Sequence, residues 1–233
     1  MLKKIYFYLP IIFFVVLFLI FRNPGTTKFF IGYIFIFGAS LAGGIFFTKG
    51  QFQKRWPFLL EAVFLTTGAL MFFLSLGQII WFYVFSFLFC FVLGLFFYRL
   101  YQIFYQPRLA KPFALEKMAL WLNFIISYWF LAGLQGILID SYFQKMFFLG
   151  LGLVFILFFW LEYYLLSLND SFSNYPLSDS LIIGLVLTEI YLVVSFLPLS
   201  FYLNALIVSL ICFIINKIWL KIHQKKSSLM TVN

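Results

Sequence analysis

Three carboxylates stand where a carboxylate is least at home. Glu61, Glu162 and Glu189 each interrupt a run of apolar residues, at Leu60-Glu61-Ala62, Leu161-Glu162-Tyr163 and Thr188-Glu189-Ile190. An ionisable side chain costs about 2.5 to 3.5 kcal/mol at the centre of a membrane helix, so its presence points first to proton or cation handling. Glu189 makes the strongest case, because it stands about halfway along its apolar tract, at a depth where charge is poorly solvated. Its competing reading is a hydrogen bond to a neighbouring helix, typically worth under about 2 kcal/mol. Glu162 falls about two turns from the end of its own tract. Tyr163 and Tyr164 follow it, and Asn123, Asn216 and Lys217 lie at similar depth as polar partners. Glu61 sits close to Arg55 and Trp56 at a tract mouth, where an interfacial anchor reaching headgroup water is the simpler role.

The rest of the composition narrows the chemistry. His223 in the basic tail is the single histidine, so histidine-based triads and histidine-rich metal sites within the apolar tracts are excluded. No glycine-rich phosphate loop occurs, and no acidic pair has the close spacing of a magnesium-dependent lipid transferase. Cys90 and Cys212 lie in apolar stretches without metal-ligand neighbours. No catalytic residue, metal or cofactor is assigned, and a non-enzymatic role is favoured.

The elements that must carry these residues follow from hydropathy. Of the 233 residues 65% are hydrophobic, 24% aromatic and 10% charged, with mean hydropathy +1.07. A soluble fold of that make-up could not cover itself with polar surface. A bilayer core of roughly 30 Å needs about 20 apolar residues as helix. The tracts Ile5–Phe21, Phe29–Phe47, Met118–Ile139 and Met146–Leu168 each fit one crossing. Phe58–Tyr98 and Leu181–Leu220 are each about twice that length and must fold back. Their weak points are Ser75-Leu76-Gly77-Gln78, where glycine supplies turn geometry, and Pro198, which lacks the N–H that a helix interior needs. The expected fold class is therefore all-α, a polytopic transmembrane helix bundle of eight spans.

Cation placement orients it. With the N-terminus in the cytoplasm, 13 of the 16 Lys and Arg residues fall on that side, and only Arg22, Lys28 and Lys145 fall opposite. Both ends are then cytoplasmic in a multi-pass protein of a bacterial inner membrane. The net charge of +9 lies in short runs between apolar tracts, which favours anionic lipid headgroups as partners and disfavours nucleic acid. The longest cytoplasmic connection, Arg99 to Lys117, interleaves Tyr101, Phe104, Tyr105 and Phe113 with cations, as a surface-anchoring segment does.

The chain also echoes itself at an offset of about 120 residues. Phe29-Phe30-Ile31-Gly32 matches Phe147-Phe148-Leu149-Gly150, and Cys90 through Gln102 resembles Cys212 through Gln224. Similar composition alone could produce this, yet the matched helix order suggests a 4+4 tandem repeat of two parallel four-helix halves. Within one membrane domain the halves would be 1–105 and 118–224, joined by a connector at 106–117 and followed by a tail at 225–233. In the second span Gly38, Ala42 and Gly43 have the small-residue spacing of a helix-packing seam.

Three functions fit. The leading one is a small-solute or ion transport protein, permease-like, using Glu189 and Glu162 in a cavity between the halves. The rival is a structural or assembly subunit packed against lipid and partner helices, whether of another membrane protein or of a second copy. The third is a lipid-modifying membrane enzyme, for which carboxylates should converge at headgroup depth.

Overall fold

A computed structural model describes residues 8, 10–18, 26–47, 56–76, 79–106, 114–139, 147–168 and 176–230, with side chains for 8, 10–18, 34–46, 60–76, 80–106, 115–138, 147–168 and 176–221. Among these residues all regular secondary structure is helical. The elements are α1 (10–18), α2 (Thr26–Phe47), α3 (Trp56–Ser75), α4 (Ile79–Tyr105), α5 (Ala114–Ile139), α6 (Phe147–Ser167), α7 (Pro176–Ser195) and α8 (Phe201–Met230). Five stretches are long and apolar enough to cross a bilayer: Ile80–Tyr105, Leu115–Leu138, Phe147–Ser167, Pro176–Ser195 and Phe201–Lys221. Shorter apolar helical runs occupy Ile34–Phe46 and Leu60–Ser75.

Both long tracts break. The first is divided between Ser75 and Ile79, on either side of Gly77 and Gln78, which lie outside the described residues. The second stops at Ser195, and Pro198 sits in the exposed bend that follows. There Phe196 N and Leu197 N donate to the carbonyls of Val193 and Val194 at 3.3 and 3.0 Å, closing the last turn of α7. Ser200 then opens α8 as a cap, its carbonyl accepting from Leu203 N at 2.9 Å and Asn204 N at 3.0 Å.

Helix ends differ from hydropathy in one instructive place. The Arg99–Lys117 connection is shorter than its polarity suggests, because α4 continues through Tyr105 and α5 starts at Ala114. The extra turns are held by side chains: Arg99 donates to Gln102 Oε1 at 3.0 Å, and Gln102 donates to the Tyr98 hydroxyl at 2.7 Å. Tyr105 stacks on Tyr101 and gives its hydroxyl proton to the Phe46 carbonyl at 2.9 Å, satisfying one of the free carbonyls at the end of α2. Pro107, Arg108, Lys111, Pro112 and Phe113 lie outside the described residues.

The chain divides into two compact units, Met1–Ala114 and Leu115–Asn233. In the first, aromatic rings join the helices: Phe14 meets Phe87 and Phe18 meets Tyr83 between α1 and α4, and Phe72 meets Phe85 between α3 and α4. The expected seam of Gly38, Ala42 and Gly43 is split. Gly43 is buried against the Phe97 ring of α4, where an added Cβ would come within 2.8 Å of Cζ. Gly38 and Ala42 are exposed, and a Cβ at Gly38 meets nothing within 4 Å. The reason is rotational: each residue advances about 100° around a helix, so positions 42 and 43 present different faces.

In the second unit glycine sets two close approaches. A Cβ at Gly150 would come within 2.8 Å of Leu138 Cδ1, between α6 and α5. One at Gly184 would come within 2.9 Å of Phe159 N, placing the backbones of α7 and α6 almost in contact. Trp121 and Phe124 pack on Phe213 and so join α5 to α8. Phe147, Pro176 and Phe201, which open α6, α7 and α8, stand 121, 120 and 122 residues after Thr26, Trp56 and Ile79, which open α2, α3 and α4.

Candidate functional site

Three rows of residues at four-residue spacing meet inside the second unit. On a helix such spacing keeps side chains along one slanted ridge. Gly150, Val154, Phe158 and Glu162 form the row on α6, all buried. Asn123, Ser127, Leu131 and Gln135 form the row on α5; Asn204, Val208, Cys212 and Asn216 form the row on α8. All eight of these are buried as well, so polar side chains recur along two ridges that see almost no solvent.

Glu162 is where the rows converge. It is 1% exposed, and its Oε1 accepts from Asn216 Nδ2 at 2.8 Å. Cys212 Sγ lies 3.6 Å from the same oxygen and 3.5 Å from Asn216 Nδ2, which ties the three groups together. From the other side Asn123 Nδ2 donates to the carbonyl of Leu161, the residue before Glu162, at 3.1 Å. Glu162 Oε2 and Asn123 Oδ1 are both buried without a hydrogen-bond partner. A carboxyl held by one neutral amide and a thiol, with no ion-pair partner among the described residues, has only weak support for permanent charge.

The other expected residues separate from this cluster. Lys217, adjacent to Asn216, is exposed about 100° further around α8, its Nζ 5.8 Å from the centroid of the Phe213 ring. That distance suits a cation–π contact, and among the described residues no cation pairs with Glu162. Glu189 is exposed. The face that α7 buries is set by Ser180, Gly184, Leu187, Thr188, Tyr191 and Val194, and Glu189 falls outside it. Thr188, its neighbour, faces inward and donates to the Gly184 carbonyl at 2.7 Å. Glu61, expected to reach headgroup water, is instead 2% exposed within the first unit.

Sequence reasoning named Asn123 and Asn216 but passed over Ser127, Gln135, Asn204 and Cys212. Their signal was available as polar residues repeating at intervals of four in otherwise apolar helices. Among the described residues no group of three or more His, Cys, Asp or Glu is placed to hold a metal.

The fold is that of an α-helical, membrane-embedded protein, with long apolar helices enclosing a small buried polar cluster. No protein-family model, curated protein or solved structure matches the chain.

Proposed function

We propose that this chain is a small permease-like protein, moving a small solute or ion, in which Glu162 is the group that takes up and releases a proton or cation. The observation that carries this reading is the buried carboxyl with one oxygen bonded to Asn216 and the other without a partner. A carboxyl kept only to join helices would be expected to satisfy both oxygens, since an unmet buried polar atom costs about 1 to 3 kcal/mol. The exposed Glu189 lacks the enclosure that coupling requires.

Further support comes from sequence and spacing. The distribution of 13 against 3 cations favours both ends on the cytoplasmic side of a bacterial inner membrane, where the basic loops meet anionic headgroups. The near-equal offsets of three pairs of helix starts favour a tandem 4+4 origin for the helices.

The test is proton flux into liposomes carrying the purified protein and a trapped pH-sensitive dye, driven by a potassium diffusion potential. Wild type should exceed protein-free vesicles, Glu162→Gln should fall at least tenfold, and Glu189→Gln should match wild type. A Glu162→Gln protein that folds and conducts as wild type does would end the coupling role.

A second reading, a subunit serving partner helices, is favoured by the exposed pair Gly38 and Ala42 on α2. A disulfide forming between two Gly38→Cys chains in native membranes would support self-association through that face; its absence would leave only a heterologous partner.

A further inference from the structure

A second polar site lies at the other end of the same unit. Along α6, Glu162 is 15 residues from Phe147, or roughly 20 Å of helix. Near Phe147, where α5 ends and α7 turns into α8, a cavity of about 330 Å³ opens among Gln135, Phe147, Tyr191, Ser195, Phe201 and Asn204. Its walls are built from elements already fixed by other forces. Gln135 and Asn204 are the outer members of the polar rows on α5 and α8, Tyr191 belongs to the buried face of α7, and the bend at Pro198 holds α7 and α8 together.

The polar atoms have a definite character. Gln135 is 8% exposed, and its Oε1 is buried without a hydrogen-bond partner. Asn204 is 4% exposed, and its Oδ1 is also unpartnered. Ser195 spends its hydroxyl proton on the Leu192 carbonyl at 2.7 Å, so its oxygen can only accept from a ligand. The wall thus offers acceptor oxygens at Gln135, Asn204 and Ser195 beside the amide N–H groups of Gln135 and Asn204, and suits a ligand that both donates and accepts. Among the described lining residues none is charged, so a bare ion entering here would lose its hydration without a counter-charge. The rings of Phe147 and Phe201 give flat apolar surface for the carbon skeleton of a ligand.

We propose that this cavity binds a small neutral solute bearing hydroxyl or amide hydrogen-bond donors. The proposal deepens the permease reading, on which its physiological use rests, by giving the solute class and the place where it is first held. A volume of about 330 Å³ lies at the small end of ligand pockets, which commonly run from about 300 to 1,000 Å³.

The test uses the full chain in lipid nanodiscs, with Ser195→Cys as the reporter and erythritol as the probe. Cysteine replaces the half-buried serine with little change of shape, and the native Cys90 and Cys212 are buried, so wild type defines background labelling. Labelling by a small charged methanethiosulfonate should exceed that background and slow at least fivefold, saturably, with erythritol but not with equal potassium chloride. Adding Gln135→Leu or Asn204→Leu, two independent changes each checked for a monodisperse particle, should abolish the protection. Labelling that erythritol does not slow, equal protection by potassium chloride, or no labelling above background would each overturn the proposal. Erythritol protection should survive Glu162→Gln. Loss of protection in the wild-type background with flux still dependent on Glu162 refutes the pocket alone, and the converse refutes the coupling role alone.

Discussion

Replacing Gly184 by alanine places one methyl group between two backbones. The new Cβ would lie 2.9 Å from Phe159 N and 3.0 Å from Phe159 Cα, whereas ordinary contact begins near 3.4 Å. Neither atom can swing away as a side-chain tip could, so α6 and α7 must part by about 0.5 Å at the crossing, and overpacking of this kind costs about 1 to 3 kcal/mol. Gly152, on the exposed side of α6, is the control: an added Cβ there meets nothing within 4 Å. The same substitution at Gly152 should be neutral or gain up to about 1 kcal/mol from helix propensity. Unfolding each variant in mixed micelles by titrating dodecyl sulfate, read by circular dichroism, should separate the two by about 2 kcal/mol, roughly 30-fold in the folded ratio. The displacement also reaches the polar cluster, because Phe159 is less than a turn from Glu162. If α6 moves by about 0.5 Å, the Asn216 bond of 2.8 Å stretches to about 3.3 Å, beyond the usual range. Gly184→Ala should therefore also reduce Glu162-dependent flux. Stabilities for Gly184→Ala and Gly152→Ala within about 0.5 kcal/mol of each other would refute the close approach.

Three further outcomes follow from the same contacts. A double-mutant cycle of Glu162→Ala with Asn216→Ala should give a coupling energy of about 0.6 to 1.7 kcal/mol, as for other hydrogen bonds between membrane helices, whereas Glu162→Ala with Lys217→Ala should be additive within about 0.3 kcal/mol. Gly43→Ala meets only the tip of the Phe97 ring, so its cost of about 1 kcal/mol should be partly relieved by Phe97→Leu, and strict additivity of that pair would refute the contact. A reporter active only outside the cytoplasm, fused after Asn233, should stay silent; strong activity would reverse the orientation read from the cations.

Depth was legible in the sequence and rotational phase was not. The tract lengths set where helices had to end, and Pro198 and the Gly77-Gln78 pair marked the folds because a bilayer hides only about 20 helical residues at a time. The same lengths put Glu189 about halfway along its apolar tract, whereas in α7 (Pro176–Ser195) it lies six residues before the C-terminal end. They could not say which way it faced, because α7 is apolar on almost every side and lipid is as apolar as the interior. Phase is set instead by the one place where a helix can come close, and on α7 that is Gly184. Once Gly184 lies against Phe159, Leu187, Thr188 and Tyr191 follow it inward and Glu189 is carried out. On α6 the row from Gly150 through Glu162 turns inward for the same reason, so in the second unit the glycines decide which of Glu162 and Glu189 is enclosed.

The offset between the units sharpens the contrast between their interiors. At the spacing of the helix starts, Asn216 and Cys212 on α8 correspond to Gly94 and Cys90 on α4, and Glu162 on α6 corresponds to Leu41 on α2. The α4 row has a cysteine but no amide, and it lines a groove of about 480 Å³ shared with Pro10, Ile11 and Phe14 of α1. That groove is almost wholly apolar, and Pro10 Cγ comes within 3.0 Å of where a Gly94 Cβ would stand. An asparagine at position 94 would have to displace α1, whereas glycine lets that helix settle close. At one helical position the two units thus differ: glycine admits a neighbouring helix in the first, and asparagine holds a carboxyl in the second. Asymmetry of that kind supports assigning the proposed coupling role to the second unit.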